Sequence, residues 1–308
     1  MPPAIEIQGL TKVYGAGEDQ VTAVDNLDLT VEQGEVFGFL GPNGAGKTTT
    51  VQMLMQIVFP TSGSARLMGK PAGDVKTREK IGYLPEKFQF HAFLRAEEFL
   101  DFHARLYGME NPRRKARVRE VLELVGLKDS ARSRIRTFSK GMLQRIGLGQ
   151  AIINDPELLI LDEPTSALDP MGRRDVRELL NRLKDSGTTI FLNSHMLSEV
   201  EMICGQAAIM NHGRLVRLAD MASLTRPSHQ VDVKVEALPD AAMVMIESLA
   251  KQVEFSRDSC MTVTLDREEQ ITELAEIIMK SGANLKEFTP RRQPLEDAFI
   301  KVIEGEGS

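Results

Sequence analysis

The chain has 308 residues, of which 42% are hydrophobic and 27% are charged, and it carries a net charge of −6. This length suggests about two domains, and the negative charge argues against a general nucleic-acid binder. No apolar run approaches the ~18 residues that cross a bilayer, and the first residues lack a signal-peptide pattern. Two cysteines, Cys204 and Cys260, are too few for a disulfide framework, which indicates a reducing, cytosolic compartment.

The first third of the chain alternates short apolar runs with turn residues. The predicted strands here are Ile5–Ile7, Asp28–Val31 and Val36–Leu40. A glycine-rich turn follows at 41–46, and Lys47–Phe59 is a predicted helix that ends before Pro60. Residues 61–85 then return to short strands and turns.

The middle of the chain changes to helical apolar spacing with few strand signals, which predicts an all-helical insertion at about 87–156. Its predicted helices are Arg95–Tyr107, Arg113–Val125 and Lys140–Ile153. In the first of these, the spacing of Phe99, Phe102 and Leu106 predicts three core residues. Strands and helices alternate again afterwards, with predicted elements at 158–164, 175–185, 188–194 and 196–204 and a hairpin over 207–217.

A domain boundary is predicted near Arg226-Pro227-Ser228, which divides the chain into 1–228 and 229–308. Beyond it, the pattern predicts strands 231–236, 252–257, 261–265 and 284–288 and helices 240–250, 268–281 and 294–304. Apart from the last helix, this is the βαββαβ order of a ferredoxin-like unit. The predicted fold class is therefore α/β, with a small α+β unit at the end.

One segment carries a phosphate-binding pattern in the required context. Gly41-Pro42-Asn43-Gly44-Ala45-Gly46-Lys47-Thr48 fits G-x-x-x-x-G-K-[ST] between a predicted strand and a predicted helix. Glycines let the backbone approach a ligand, and consecutive N–H groups at a helix N-terminus form an anion-binding nest. Lys47 adds a positive charge for the β- and γ-phosphates, and the Thr48 hydroxyl suits Mg²⁺.

Two acids follow the buried apolar strand Leu158–Leu161, as the second half of such a site requires. Asp162 is placed to hold Mg²⁺, directly or through water, and Glu163 to polarise a water near the γ-phosphate. Two adjacent acids at a strand end are unfavourable unless a cation or a proton is bound. The sequence thus predicts a nucleotide site that uses Mg²⁺.

From residue 4 to residue 220 the chain resembles the ATPase subunits of ATP-binding-cassette (ABC) transporters, with the family's motifs in order and at its spacing. The phosphate loop matches as far as Thr49, and Leu158–Glu163 resembles the family's Mg²⁺ strand. The other matching motifs are Val13-Tyr14-Gly15 (aromatic loop), Ile81–Glu86, Phe138–Arg145 (signature), Ser166–Asp169 and Asn193-Ser194-His195 (switch histidine). A phosphate loop alone would also fit kinases, GTPases and helicases, but the signature and the switch histidine make the match specific.

The resemblance implies a head-to-tail dimer, with each ATP between the phosphate loop of one subunit and the signature helix of the other. One chain has every residue for two equal sites, which favours a homodimer and leaves a heterodimer as the alternative. It implies that Glu163 is the catalytic base and that His195 contacts the γ-phosphate and positions the water. The other implied nucleotide contacts are stacking by Tyr14, contacts across the interface from Ser139, Lys140 and Gly141, and ordering of the partner's site by Asp169.

Two positions depart from the family pattern. Glu86 stands where the family usually has glutamine, and a carboxylate there can still bind Mg²⁺ but adds negative charge beside a triphosphate. Lys140 replaces the second glycine of the usual signature, and Met142 replaces its glutamine. These variants resemble exporter-type cassettes with separate membrane subunits, so we expect an active enzyme.

The segment Pro294–Ile300 resembles the ending of the exporter-type (ABC-2-like) branch. The resemblance implies an ATP-hydrolysing motor on the inner face of the cell membrane that drives a separate permease, with export favoured over import. Two alternatives are a soluble ABC ATPase that acts on ribosomes or nucleic acid and a small-molecule kinase. The first usually has tandem cassettes or long coiled-coil insertions, which this sequence lacks, and the second leaves the signature unexplained.

Overall fold

The computed structural model describes residues 2–221, 227–256, 260–267 and 269–292. Contacts divide the chain into two compact units, Met1–Met221 and Ala222–Ser308. This division falls a few residues before the boundary predicted from Arg226-Pro227-Ser228. The functional assignment of 1–228 as an ATPase domain and of 229–308 as an accessory domain stays a prediction.

The first unit alternates strands with helices. Its strands are β1 (Ile5–Tyr14), β2 (Val21–Val31), β3 (Val36–Leu40), β4 (Ser62–Leu67), β5 (Lys70–Pro71), β6 (Ile81–Leu84), β7 (Leu158–Asp162), β8 (Thr189–Asn193), β9 (Gln206–Asn211) and β10 (Arg214–Asp220). Its α-helices are α1 (Lys47–Leu54), α2 (Val75–Arg78), α3 (Ala96–Leu106), α4 (Asn111–Leu124), α5 (Lys140–Ile152), α6 (Pro170–Asp185) and α7 (Leu197–Ile203). No helix in the described part of the chain is long and apolar enough to cross a membrane.

These strands form two sheets. An antiparallel sheet has the order β2-β1-β4-β5, and a six-stranded sheet has the order β10-β9-β3-β8-β7-β6. In the second sheet the strands from β9 to β6 run parallel, while β10 is antiparallel to β9. The carboxyl ends of β3, β6, β7 and β8 therefore meet at one edge, which is where ligands bind in sheets of this kind.

Three strands of the parallel sheet are buried on both faces, as their mostly apolar sequences predict. Every residue of β3, β7 and β8 is buried. The Phe191 ring of β8 lies against the Phe37 and Phe39 rings of β3, with ring centroids 5.9 and 5.1 Å apart. This packing fixes the two strands that lead into the predicted phosphate loop and the predicted switch histidine.

The predicted helical insertion contains α3, α4 and α5, with short 3₁₀ turns between the last two. Phe99 is buried, but Phe102 and Leu106 are 40% and 67% exposed, so the prediction of three core residues in α3 is wrong for two of them. The side of α3 that packs inward carries Ala96, Phe99, Leu100 and Ala104. The apolar stripe predicted from helical spacing is therefore wider than the face of α3 that is buried.

Helix α1 ends at Leu54, so the prediction of a helix that continues to Phe59 is wrong. Gln56 adopts a left-handed conformation with a φ of 52°, which stops the helix. Its N–H donates to the Met53 carbonyl at 3.0 Å, and the following N–H donates to the carbonyl five residues earlier at 2.9 Å. These two bonds form a Schellman C-cap, a helix end in which glycine is the usual left-handed residue.

The second unit confirms the predicted βαββαβ order. Its elements are β11 (Pro227–Glu236), α8 (Asp240–Leu249), β12 (Gln252–Ser256), β13 (Cys260–Thr264), α9 (Gln270–Lys280) and β14 (Asn284–Arg292). The antiparallel sheet has the order β12-β13-β11-β14, and its buried side chains cluster with those of α8 and α9. This is a ferredoxin-like arrangement. The helix predicted at 294–304 lies outside the described residues.

Candidate active site

A cleft of about 590 Å³ opens at the edge where the parallel strands end. The residues that line it are Val21, Thr22, Ala23, Asn43, Gly44, Ala45, Gly46, Lys47, Thr48, Thr49, Glu86, Glu163, Ser166, Asn193 and His195. The cleft therefore brings most of the predicted phosphate loop together with three residues that sequence analysis placed in the same site, Glu86, Glu163 and His195.

Gly46 joins the phosphate loop to α1. Its φ is 95°, and a Cβ at this position would collide with the Ala23 carbonyl oxygen, so the position requires glycine. Gly46 is also the N-cap of α1, and no side chain caps the helix there. The first N–H groups of α1 are therefore available to an anion in the cleft, and the helix dipole adds to the attraction.

Lys47 is 7% exposed and is held against the loop that precedes it. Its Nζ donates hydrogen bonds to the Gly41 and Pro42 carbonyls at 2.8 and 3.2 Å. Burial lowers the pKa of Lys47, while three nearby carboxylates oppose that shift. The loop thus holds a buried lysine beside the cleft in a position to meet an anion.

Asp162 ends β7 and is 1% exposed. It accepts a hydrogen bond from Nδ2 of Asn193, which is its register partner on β8. The pKa of Asp162 rises to about 6, first because the carboxyl is buried and then because Glu86 and Glu163 repel its charge; the bond from Asn193 opposes the rise. A buried carboxylate with this pKa favours a bound proton or a cation.

Glu163 follows with a left-handed φ of 55° and turns its side chain toward His195. Its Oε1 accepts a hydrogen bond from the His195 backbone N–H at 2.9 Å and lies 2.8 Å from His195 Nδ1. Its Oε2 is buried and has no hydrogen-bond partner among the described residues. A carboxylate with one oxygen held and the other unsatisfied can accept a proton from a water in the cleft.

Tyr14 is not among the residues that line the cleft. It lies on β1 opposite Val21, which does line it, and its ring is 40% exposed. The Lys12 ammonium lies 5.0 Å from the centre of that ring. The aromatic residue thus sits beside the cleft rather than in its wall.

The predicted signature and Asp169 lie outside the cleft, at the starts of two helices. Ser139 is the N-cap of α5, and its Oγ accepts a hydrogen bond from the Met142 N–H at 3.2 Å. Asp169 is the N-cap of α6, and its Oδ1 accepts from the Gly172 N–H at 2.8 Å. Ser139, Lys140 and Asp169 are exposed and Gly141 is half-buried. These residues lie at the surface and do not line the cleft of their own subunit.

Two buried polar residues beside the acids received no role in the sequence analysis. Asn193 holds Asp162, and its carbonyl accepts a hydrogen bond from the Glu163 N–H at 2.9 Å. Gln144 in α5 is 7% exposed and donates from Nε2 to the Glu163 carbonyl at 3.3 Å. Each of them is a polar residue within a mostly apolar segment, and this pattern in the sequence indicates a buried polar group with a hydrogen-bond partner.

The chain is similar to known ABC transporter proteins in sequence and in structure. A family profile described as ABC transporter matches residues 24–166. An uncharacterized ABC transporter ATP-binding protein of Synechocystis sp. is 37% identical over 98% of this chain and 85% of its own length. The bacitracin transport ATP-binding protein BcrA of Bacillus licheniformis is 34% identical over 99% of each chain. A solved structure that is similar to this chain is a dimer of the ATP-binding cassette MJ0796 in a post-hydrolysis state, bound to ADP and Pi. The match covers 70% of this chain and 98% of the MJ0796 chain, with a TM-score of 0.66 and 25% sequence identity.

The parallel sheet, the phosphate loop and these likenesses define a P-loop nucleotide-binding cassette. Similarity over nearly the whole length shows that the chain belongs to the family of ABC transporter ATP-binding subunits. It is therefore an ATP-hydrolysing subunit of an ABC transporter. This confirms the predicted fold class, the ATPase activity and the motor function.

Proposed function

We propose that this subunit hydrolyses Mg²⁺-ATP in the described cleft as a head-to-tail homodimer, and that it drives a separate permease in the direction of export. It would act on the cytoplasmic face of the cell membrane. The observation that carries the proposal is the contact of Glu163 with His195 in the cleft that the phosphate loop also lines. This arrangement puts a base beside the position where the loop and Lys47 would hold a terminal phosphate.

Each step of the reaction then has a residue of this chain to perform it. The N–H groups of Asn43–Thr49 and the Lys47 ammonium bind the phosphates. Glu163 Oε2 accepts the proton of the attacking water, while the His195 N–H keeps Oε1 in place. His195 also contacts the γ-phosphate, and Tyr14 stacks on the adenine ring beside the cleft.

The acids in and beside the cleft fit a Mg²⁺ ion. Asp162 has a raised pKa, and the buried Oδ1 of Asn193 lacks a hydrogen-bond partner among the described residues, so the site favours a cation. We assign Thr48, Asp162 and Glu86 to the ion, directly or through water, because Mg²⁺ prefers oxygen ligands. Among the described residues, no group of three or more His, Cys, Asp or Glu side chains is placed to hold a metal ion by itself. Phosphate oxygens and waters would complete the coordination of an ion held by Thr48, Asp162 and Glu86. When bound, the ion neutralises charge on the phosphates.

The dimer proposal rests on the exposed surface at the start of α5. The N–H groups and the dipole of this helix, together with the Lys140 ammonium, suit a phosphate. They do not line the cleft of the subunit to which they belong. A second copy turned head to tail would bring Ser139, Lys140 and Gly141 to the γ-phosphate and Asp169 to the rim of the site. The similar MJ0796 cassette is itself a dimer bound to ADP and Pi, which supports a dimer here.

The direction of transport is proposed from the relatives. BcrA carries the name of a bacitracin transport protein, and this chain is similar to it along its whole length. LnrL of Bacillus subtilis, 36% identical over 80% of this chain, carries the name of a linearmycin resistance protein, and resistance favours removal of a compound from the cell. The competing function, a soluble ABC ATPase on ribosomes or nucleic acid, is opposed by the net charge of −6. Residues 229–308 are proposed to serve as an accessory domain of the motor.

Glu163→Gln tests the base and the dimer together. Glutamine keeps an oxygen for the two His195 contacts but has no carboxylate to take a proton. We expect ATP binding to persist, turnover to fall by about 10²-fold or more, and an ATP-dependent dimer to accumulate on light scattering. The matched control is Glu157→Gln, which changes an exposed acid paired with Lys80 and should behave as the wild type. Normal turnover in Glu163→Gln would contradict the base assignment, and a monomer at saturating ATP would contradict the homodimer.

A further inference from the structure

Helices α6 and α7 each begin beside a residue proposed to act at the nucleotide. Asp169 is the N-cap of α6, and His195 comes just before α7. Helix α7 has seven residues, and no side chain caps its N-terminus. His195 is itself half exposed, so its position depends on the elements on either side of it. What fixes α7 therefore also fixes the histidine and, through the histidine, the Glu163 carboxylate.

A partly buried ion pair joins the two helices. Nη1 of Arg177, in α6, donates to both carboxylate oxygens of Glu199, in α7, at 2.9 Å each. The side chains are 22% and 7% exposed. The Glu199 carboxylate is the buried member of the pair, and a break would leave its charge without a partner. The geometry of the pair is also directional, unlike that of an apolar contact.

The other side of α7 packs on β3, the strand that leads into the phosphate loop. Val200 is fully buried, and its Cγ1 occupies the space above Gly38, where a Cβ would lie 2.6 Å from it. An apolar contact of this kind sets how close α7 comes to the sheet. The apolar contact is not directional, and the Arg177–Glu199 pair adds a directional restraint to it.

We propose that Arg177 and Glu199 are positioning residues that hold α7 in register with α6, so that Asp169 and His195 move together. When a second copy contacts Asp169, α6 carries the displacement through the ion pair to α7 and to the Glu163–His195 contact. The pair thus lets the arrival of the partner subunit adjust the catalytic geometry of this subunit's own cleft. This inference rests on the role proposed for His195 and adds to it a pair that lies outside the cleft.

The test uses the full-length ATPase with neutralising variants of the pair. We expect Arg177→Gln and Glu199→Gln each to lower kcat about tenfold, with KM for ATP changed less than about twofold. The double variant should be no slower than the slower single variant, because the two residues act as one unit. Arg177→Lys keeps a charge beside Glu199 and should restore part of the turnover. The exposed Arg174–Glu178 pair on α6 is the matched control, and its double glutamine variant should keep the wild-type kcat.

A second experiment in the His195→Ala background distinguishes an effect of Arg177 through the histidine from a general loss of folding. If Arg177 acts through the histidine, then Arg177→Gln should lower kcat no further in the His195→Ala background. An equal loss of kcat in both backgrounds would overturn the proposal. So would variants with a lower Tm but unchanged kcat at a temperature where they are folded. A His195→Ala variant with wild-type turnover would instead contradict the proposed role of His195, on which the pair's role depends.

Discussion

Replacement of the buried Asp162 by asparagine should stabilise the nucleotide-free protein at neutral pH and flatten its pH dependence. The fold raises the pKa of Asp162 from 3.8 to about 6, so the folded state binds a proton more tightly than the unfolded chain does. The free energy of unfolding therefore falls as the pH rises from about 4 to about 6, and the loss persists above that range. A rise of about two units corresponds to about 3 kcal/mol, at 1.36 kcal/mol per unit.

Asp162→Asn removes this charge and keeps an oxygen that can accept the bond from Asn193. We expect the variant to be more stable than the wild type by up to about 3 kcal/mol at pH 8, a gain of about 6–12 °C in Tm for a unit of this size. The gain should vanish near pH 4, where the wild-type carboxyl is protonated. Thermal unfolding of both proteins without nucleotide, in EDTA, across pH 4–8 measures the difference.

Asp74→Asn is a control variant for which the opposite change in stability is expected. Hydrogen bonds from Thr77 lower the pKa of Asp74, so its contribution to stability is present above its ordinary pKa and is lost as the pH falls. This variant should be less stable than the wild type at pH 8. An Asp162→Asn variant with equal or lower Tm at pH 8 would refute the account of the acids in the cleft.

Two further predictions concern the phosphate loop and the end of the helix that follows it. Lys47→Ala should weaken the binding of a fluorescent ATP analogue by at least about tenfold, because a charge-assisted contact is lost; unchanged affinity would contradict the phosphate-loop assignment. Gln56→Gly should raise the free energy of unfolding by about 0.5–1 kcal/mol in urea, because glycine adopts the left-handed conformation without strain. A lower stability would mean that the Gln56 side chain contributes more than its backbone strain costs.

The parts of the site that adjoin in sequence were predictable. A phosphate loop needs its glycines, Lys47 and Thr48 in one fixed run, and the two acids follow one apolar strand. Local spacing therefore carries the geometry of each piece. The same holds for the βαββαβ order of the second unit, where turns and periodicity alternate clearly.

Features that depend on distant partners were not predictable in the same way. Helix α1 ends in a Schellman cap with Gln56 where glycine is usual, so no residue before Pro60 marks the end of the helix in the sequence. The exposure of Phe102 follows from which side of α3 packs against its neighbours, and an apolar stripe does not contain that information. The roles of Gln144 and Asn193 arise because α5 and β8 meet the acids across the fold.

Purification of the tagged protein from gently solubilised membranes of its own cell, with partners identified by mass spectrometry, tests the proposed motor function most directly. We expect a membrane protein with several spans to be recovered in stoichiometric amount, and the Glu163→Gln variant with ATP to retain it. Recovery of ribosomes or of a soluble complex without any membrane protein would contradict the proposal of a permease-driving motor.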